Sequence, residues 1–291
     1  MTIAVTNEIR VTALGDTIGA QVDGIDLAVP LDSDAVELLK GAWERHLVLR
    51  FRGQSHLDLP GLIAFSRHFG ALDKRPIASK ALHHSVAALP DEITVISNVR
   101  IDDKPIGGLG DGESVWHADM TYNPTPPRAA LLHAQEVPAT GGDTQFLNLH
   151  AAYEALPVDL QQTIADLECI HDASLNSAGE LRLGFERVTD PQKTVGARHP
   201  LVRVHPVSGR RSLYLGRRRN AYVPGLTVAD SEALLDTLWA CATQDQFTWR
   251  QQWQAGDLVA WDNRVTLHRR DAFDPRARRL MYRTQVSDRA A

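Results

Sequence analysis

Three side chains of metal-binding type are spaced so that they could share one ion. His117 and Asp119 are separated by a single residue, and His268 lies far downstream. In an extended segment, residues i and i+2 project to the same side, so His117 and Asp119 can reach one metal. Two histidines and one carboxylate form the facial triad that holds non-heme Fe(II) and leaves the opposite positions open for substrates and oxygen. The spacing alone is a weak signal, and the surrounding sequence decides its weight.

Many short strands and a few helices are predicted around these residues. Asp32 is a good N-cap for a helix that runs to about Arg45, because apolar side chains then share one face. Further helices are predicted at 59–69, 151–167 and 228–243. A β-hairpin within 13–27 is followed by strands at 47–51, 92–99, 128–136, 143–147, 201–205, 212–215, 257–261 and 280–286.

These elements favour a mainly β fold with flanking helices. Short strands separated by Gly/Pro turns are typical of sandwiches and barrels, and a double-stranded β-helix, or jelly roll, fits them best. The chain shows no internal repeat and no low-complexity linker, so residues 1–291 are predicted to form a single domain. The glycine-rich segment 107–113 lacks the Gly-Lys-Ser/Thr ending of a phosphate loop. Two interpretations remain for it: a mobile loop over the entrance of the site, or a plain surface loop.

Composition and charge exclude several classes of protein. No apolar run approaches the roughly 18 residues of a membrane helix, and the first twenty residues lack the apolar core of a signal peptide. Cys169 and Cys241 are the only cysteines, which favours incidental thiols in the reducing cytoplasm. From Gly196 onward there are 16 arginines and 9 acidic residues, a net charge of +7. These arginines are scattered, which favours small anionic ligands over nucleic acid.

Four segments, in this order, resemble one known family over nearly the full length of the chain. They are WHADMTY from Trp116, VPATGGDT from Val137, WDNRVTLH from Trp261 and RRLMYR from Arg278. On these residues the chain is similar to the taurine dioxygenase and 2,4-dichlorophenoxyacetate dioxygenase family of Fe(II)/2-oxoglutarate enzymes. The resemblance implies that His117, Asp119 and His268 bind Fe(II). It also implies that 2-oxoglutarate and O2 are the cosubstrates, and a dimer or tetramer is expected.

The resemblance implies further roles near the metal. Arg279, eleven residues after His268, would pair with the distal carboxylate of 2-oxoglutarate, and Thr144 would hydrogen-bond the same molecule. Trp261 would pack beside the site. Arg283 stands where the taurine enzyme meets the sulfonate of its substrate. The strand pattern agrees, because Arg279 and Arg283 share one face of a regular strand.

Two buried arginines on one face need anionic partners, since an unpaired buried charge costs several kcal/mol. A dianionic cosubstrate and an anionic substrate would supply them, and Arg278, which precedes Arg279, would then point to solvent. The alternatives are a surface ion pair with Asp271 or Asp274 for Arg279, and a buried structural pair for Arg283.

The residues around the prime substrate depart from the taurine enzyme. In the segment SKALHHS, at 79–85, this chain offers His83 and His84 but no tyrosine. Taurine is therefore not the expected substrate; a sulfonate, sulfate ester, aryloxy acid or other carboxylic acid is. Tyr122 and Asn98 are further candidates for lining the pocket. For these four residues a structural role is the alternative.

The leading functional hypothesis is a dioxygenase that hydroxylates a small organic anion, forming succinate and CO2. Two other classes stay open at this point. One is a non-redox metalloenzyme on the same barrel, in which Arg279 and Thr144 would lack a purpose. The other is a binding or regulatory protein without activity, which the intact metal ligands disfavour.

Overall fold

The computed structural model describes residues 8–75, 82–112 and 114–288. Within them the chain forms five α-helices and eighteen β-strands. The helices are α1 Ser33–His46, α2 Leu59–Ser66, α3 Leu149–Glu154, α4 Val158–Ile164 and α5 Val228–Ala242. The first nine strands are β1 Arg10–Ala13, β2 Ala20–Asp23, β3 Val48–Phe51, β4 Thr94–Ser97, β5 Arg100–Ile101, β6 Lys104–Pro105, β7 Gly108–Leu109, β8 Ser114–His117 and β9 Ala129–Glu136. The remaining strands are β10 Thr144–Asn148, β11 Glu168–Ile170, β12 Arg198–Pro200, β13 Val202–Val204, β14 Arg211–Leu213, β15 Thr248–Gln251, β16 Leu258–Asp262, β17 Thr266–Arg270 and β18 Leu280–Val286.

Two sheets face each other and enclose the site. The larger has eight strands in the order β1-β2-β3-β16-β9-β18-β4-β7, and the smaller has four in the order β15-β10-β17-β8. Their facing sides share one buried cluster, to which Val48, Val259 and Met281 come from the larger sheet and Phe146 from the smaller. This sandwich of mainly antiparallel strands with non-sequential neighbours confirms the predicted jelly roll.

Helices cover the outer face of each sheet. Leu39 and Trp43 on α1 pack with Leu49 and Phe51 of β3 in a second buried cluster. Helices α3 and α5 cover the smaller sheet in a third cluster. The predicted N-cap is confirmed, since the Asp32 side chain accepts a hydrogen bond from the backbone N–H of Ala35.

The structure differs from the predicted elements in several places. The single helix predicted at 151–167 is two short helices, α3 and α4, because Pro157 lies between them and cannot continue a helix. The glycine-rich segment is not a plain loop throughout: it contains β7, which pairs in parallel with β4. Its last residue, Glu113, lies outside the described residues. Among the described helices, none is both long and apolar enough to cross a membrane.

Gly216 ties the metal-binding segment to the layer behind it. Its carbonyl accepts the backbone N–H of Ala118, its φ is +64°, and a Cβ would come within 2.8 Å of Cγ of the His171 ring and closer still to Nδ1. We expect Gly216→Ala to cost about 2–5 kcal/mol, from the left-handed backbone and from overpacking. Gly209→Ala is the matched control, because Gly209 has a φ of +68° with nothing within 4 Å. Urea titrations measure the unfolding free energy of both variants. Equal losses in Gly216→Ala and Gly209→Ala would show that the contact with His171 contributes nothing.

Candidate metal centre and its two cavities

The three predicted metal ligands lie together in the space between the sheets. Strands β8 and β17 are neighbours, and their register places His117 directly opposite His268. Asp119 follows β8 and reaches the same point. One potential ligand atom from each residue lies within 4.8 Å of the other two. His117 Nε2 and His268 Nε2 are 3.8 and 3.9 Å from Asp119 Oδ1.

The local electrostatics keep all three side chains in the form that binds metals. Burial lowers the pKa of the His117 imidazole well below its usual value, and His268 adds to this. Burial also lowers the pKa of His268. For Asp119, burial alone would raise the pKa, but Arg283 and the two imidazoles lower it overall. His117 Nδ1 lies 2.7 Å from the carbonyl of Val115. That contact fixes the tautomer whose Nε2 is free to act as a ligand.

The backbone of Asp119 is held by one buried asparagine in the turn between β16 and β17. The backbone N–H of Asp119 donates to Asn263 Oδ1 at 2.7 Å. Asn263 Nδ2 donates to the carbonyls of Asp119 at 3.0 Å and Pro127 at 2.8 Å. Asn263 is fully buried. No sequence signal singled it out, although it lies in the WDNRVTLH segment.

We expect Asn263→Asp to weaken metal binding about 10–100-fold, as changes in the groups that orient metal ligands commonly do. The substitution keeps the shape of the side chain but replaces the Nδ2 donor by an oxygen, which would face the carbonyls of Asp119 and Pro127. Calorimetric titration with Mn(II) measures the effect. The control is Asn148→Asp, because Asn148 is similarly buried and uses its Oδ1 to cap α3. Unchanged Mn(II) affinity in folded Asn263→Asp protein would rule out this positioning role.

Arg283 is paired within the protein, as in the alternative given for it above, so its charge does not depend on a substrate anion. Its Nη1 donates to Asp119 Oδ1 at 3.2 Å and Oδ2 at 3.1 Å. Gln285 on the same strand also reaches Asp119 Oδ2, at 3.4 Å. The pair forms because the inward face of β18 points across the sandwich at the metal-binding segment. The outward residue Arg278 pairs with Glu136 at the surface, as predicted.

An inner cavity of about 40 Å³ lies beside His117 and His268. Thr144 and Trp261 line it, as do Arg270, Arg279 and Ser114. Arg279 is buried, and its Nε and Nη1 have no hydrogen-bond partner among the described residues. Burial lowers the pKa of Arg279 to about 9, with a contribution from Arg270, so the guanidinium remains charged at neutral pH. The cavity therefore presents buried cationic donors to which no carboxylate of the described residues is hydrogen-bonded.

Of the other residues predicted near the metal, Thr144 and Trp261 line the inner cavity and Asn98 does not. Thr144 Oγ1 accepts from the Trp253 indole N–H at 3.0 Å, which leaves its own hydroxyl proton to donate. Trp261 packs 5.0 Å from the His268 ring, centroid to centroid. Asn98, predicted to touch the substrate, is among the residues that line neither this cavity nor the outer one. Its Oδ1 accepts the backbone N–H of Arg279, so it holds the segment that carries this arginine.

An outer cavity of about 390 Å³ opens on His117 and Asp119. Its lining contains the arginines Arg75, Arg182, Arg217 and Arg283 and the acids Asp119 and Glu180, set among apolar side chains. Tyr122 lines this cavity, and the Arg182 guanidinium lies over its ring at 3.7 Å from the centroid.

Arg217 is the first of three consecutive arginines, a run that favours a solvated turn or a subunit interface, but it does not lie in a solvated turn. It is buried beside His117 and donates through Nη1 to the carbonyls of Leu175 and Asn176. Arg182 and Arg217 were both missed, because nothing in their local sequence separates them from the other scattered arginines.

His83 and His84 do not line the outer cavity. The side chain of His83 turns back to cap a short 3-10 helix at His84–Ala88, where its Nδ1 accepts from the backbone N–H of Ser85. His84 is exposed. Leu82 and Val86, from the same segment, line the cavity instead. The rest of the predicted segment, at 79–81, lies outside the described residues.

Comparison with known proteins identifies the family. The profile of the family described as "Taurine catabolism dioxygenase TauD, TfdA family" matches residues 10–285. The chain belongs to this family. It is 37% identical to the alpha-ketoglutarate-dependent 2,4-dichlorophenoxyacetate dioxygenase of Cupriavidus pinatubonensis, over 93% of this chain and 95% of that one. It is 34% identical to the (S)-phenoxypropionate/alpha-ketoglutarate-dioxygenase of Delftia acidovorans, over 97% of this chain and 96% of that one.

A solved structure agrees with these relatives. The crystal structure of AAD-2 in complex with Mn(II) and N-oxalylglycine has a TM-score of 0.77 and 32% identity, covering 97% of this chain and 98% of that one. This TauD/TfdA-family protein is an Fe(II)- and 2-oxoglutarate-dependent dioxygenase, an oxidoreductase that uses O2. The comparisons give no support to a non-redox metalloenzyme.

Proposed function

We propose that this dioxygenase oxidises a small organic anion with an apolar body, which binds in the outer cavity. The observation that carries the proposal is the lining of that cavity, where four arginines face two carboxylates. Asp119 already pairs with Arg283, and Glu180 is exposed and accepts a hydrogen bond from Asn176. Among the described residues, no carboxylate is hydrogen-bonded to Arg182 or Arg217. An anionic group is the ligand that such a surface favours.

The residues of the metal centre fit Fe(II). His117, Asp119 and His268 supply two neutral imidazoles and one carboxylate, the donor set of non-heme iron oxygenases. Fe(II), with 2-oxoglutarate and O2, supplies the oxidising chemistry when bound. The protein holds the ligand tautomer through Val115, orients Asp119 through Asn263, and keeps the site buried between the sheets.

The inner cavity fits the cosubstrate. Arg279 offers two buried donors that have no partner among the described residues, and Thr144 offers a hydroxyl proton, so both would hold a carboxylate of 2-oxoglutarate. Trp261 forms one wall. Arg283 lines both cavities and would meet the substrate while it remains paired with Asp119. Tyr122 would lie beside the substrate, with Arg182 held on its ring.

A substrate screen tests the proposal. Sulfonates, sulfate esters, aryloxy acids and acyl amino acids are each compared with a neutral amide or alcohol of the same shape, and succinate formation is measured. The anionic member of a productive pair should be the better substrate. Arg182→Met should raise KM for the anion and leave the neutral analogue unchanged, while Arg187→Met, on the same loop but exposed and outside the lining, should change neither. A best substrate without an anionic group would refute the proposed substrate class.

The proposal extends to the setting in which the enzyme works. The family match across 10–285 supports a single domain over 1–291. The free thiols of Cys169 and Cys241 suit the reducing cytoplasm. A homodimer or homotetramer is expected and would be tested by light scattering. Nucleic acid is not an expected partner, a prediction that a filter-binding assay checks.

A further inference from the structure

The inner cavity contains a second buried guanidinium, that of Arg270. On β17, Arg270 lies two residues after His268 and faces the same way, and the strand register places it opposite Ser114 on β8. Arg270 and Ser114 are 5% and 3% exposed and both line the cavity. Arg270 Nε and Ser114 Oγ have no hydrogen-bond partner among the described residues. Two further donors therefore join those of Arg279 around one small space.

We propose that Arg270 and Ser114, together with Arg279, bind the distal carboxylate of 2-oxoglutarate. This inference rests on the proposed function. Leaving a buried donor unpaired costs free energy, and a charged donor costs more than a neutral one. A carboxylate has about four acceptor positions, more than the two free donors of Arg279 occupy. The two guanidiniums also repel each other, so an anion between them relieves both the repulsion and the unpaired donors.

Arg270 also holds the glycine-rich segment, which lies beside both cavities. Its Nη2 donates to the carbonyl of Leu109 at 2.8 Å and to the carbonyl of Gly112. The backbone N–H of Phe273 donates to the carbonyl of Asp111 at 3.3 Å. Leu109 lines both cavities. The Arg270 guanidinium therefore holds the glycine-rich segment through Nη2 and also lines the inner cavity.

The size of the inner cavity gives this contact a consequence. Its volume is only about 40 Å³, so a five-carbon dicarboxylate would lie in close contact with the residues that line it. Leu109, in the glycine-rich segment, lines this cavity, so a bound cosubstrate would contact it. Arg270 therefore links occupation of the inner cavity to the position of the loop beside the outer one.

Binding of an unreactive dicarboxylate tests the proposal without turnover. N-oxalylglycine is titrated into Mn(II)-loaded protein by calorimetry. Arg270→Met should weaken binding on the order of tenfold to a hundredfold, and Ser114→Ala by about tenfold. Arg269→Met is the matched control, because Arg269 points to the other face of β17, over Trp116. Ser212→Ala is the second control, because Ser212 is a buried serine that lines neither cavity and whose Oγ also lacks a partner among the described residues.

Hydrogen exchange supplies a separate readout for the loop. N-oxalylglycine should change amide exchange at 107–112 in the wild type and leave it unchanged in Arg270→Met. If Arg270→Met does not fold, Arg270→Lys, which keeps the charge but loses the planar fork, should still bind several-fold more weakly than the wild type. Wild-type affinity in folded Arg270 variants would overturn this inference and leave the proposed function standing. A wild-type protein that does not bind N-oxalylglycine would overturn the proposed function as well.

Discussion

His117→Ala, Asp119→Asn and His268→Ala are each expected to lose metal binding and activity together. Each alanine change removes one of the three atoms that lie within 4.8 Å of one another, and Asp119→Asn replaces the anionic carboxylate oxygen by a neutral amide oxygen, a weaker ligand. The loss of metal affinity should exceed the roughly 10–100-fold that is typical when a residue that hydrogen-bonds to a metal ligand is changed. Asparagine is the better replacement for Asp119, because its amide oxygen can still accept from Arg283. Asp119→Ala would leave the Arg283 guanidinium unpaired, so a loss of metal binding could not be distinguished from a loss of stability.

Calorimetric titration with Mn(II) and succinate formation in the presence of Fe(II) measure the two effects. His150→Ala is the control, since His150 is also buried but lies on α3, outside both cavities. Its Mn(II) affinity should match the wild type once its fold is confirmed by circular dichroism. Full metal content and full activity in any of the three ligand variants would remove that residue from the centre.

The sequence could predict elements whose signals are local. Helix α1 lies where the Asp32 cap and the apolar spacing placed it, and β18 has the predicted bounds. Strand β17 was not predicted, because His268 and Arg270 occupy inward positions where an ordinary strand carries apolar residues. A functional site breaks the alternation by which strands are recognised.

The metal site was predictable and the substrate pocket was not, for a related reason. His117 and Asp119 are close in sequence, so their spacing alone brings them together. The contact between Arg283 and Asp119 joins positions 164 residues apart and depends on how the two sheets face each other. His83 was a candidate because of its place in the segment 79–85, but its side chain caps a local turn instead. Contacts between distant elements are fixed by packing, which no local pattern reports.

Arg279→Lys is expected to weaken binding of 2-oxoglutarate far more than binding of metal. Arginine can place two parallel hydrogen bonds on a carboxylate, whereas lysine offers a compact charge on a flexible stem. Arg279 is 2% exposed, and the described residues supply no acid to pair with its replacement. The low-dielectric site and the neighbouring Arg270 would also favour a neutral amine, since burial lowers the pKa of lysine. Together these effects should cost roughly 2–5 kcal/mol, a factor of about thirty to several thousand in affinity.

Arg278→Lys is the matched control for this change. Arg278 is the adjacent arginine, but it lies at the surface, where it pairs with Glu136, and exposed pairs contribute little. Titrations with 2-oxoglutarate should therefore separate the two variants, while titrations with Mn(II) should give both the wild-type value. Because Asn98 holds the backbone of Arg279 from outside the cavity, the lysine would start from the same backbone position. Any loss then reflects the head group alone. An unchanged 2-oxoglutarate affinity in Arg279→Lys would mean that the cosubstrate is anchored elsewhere, with Arg270 next in line.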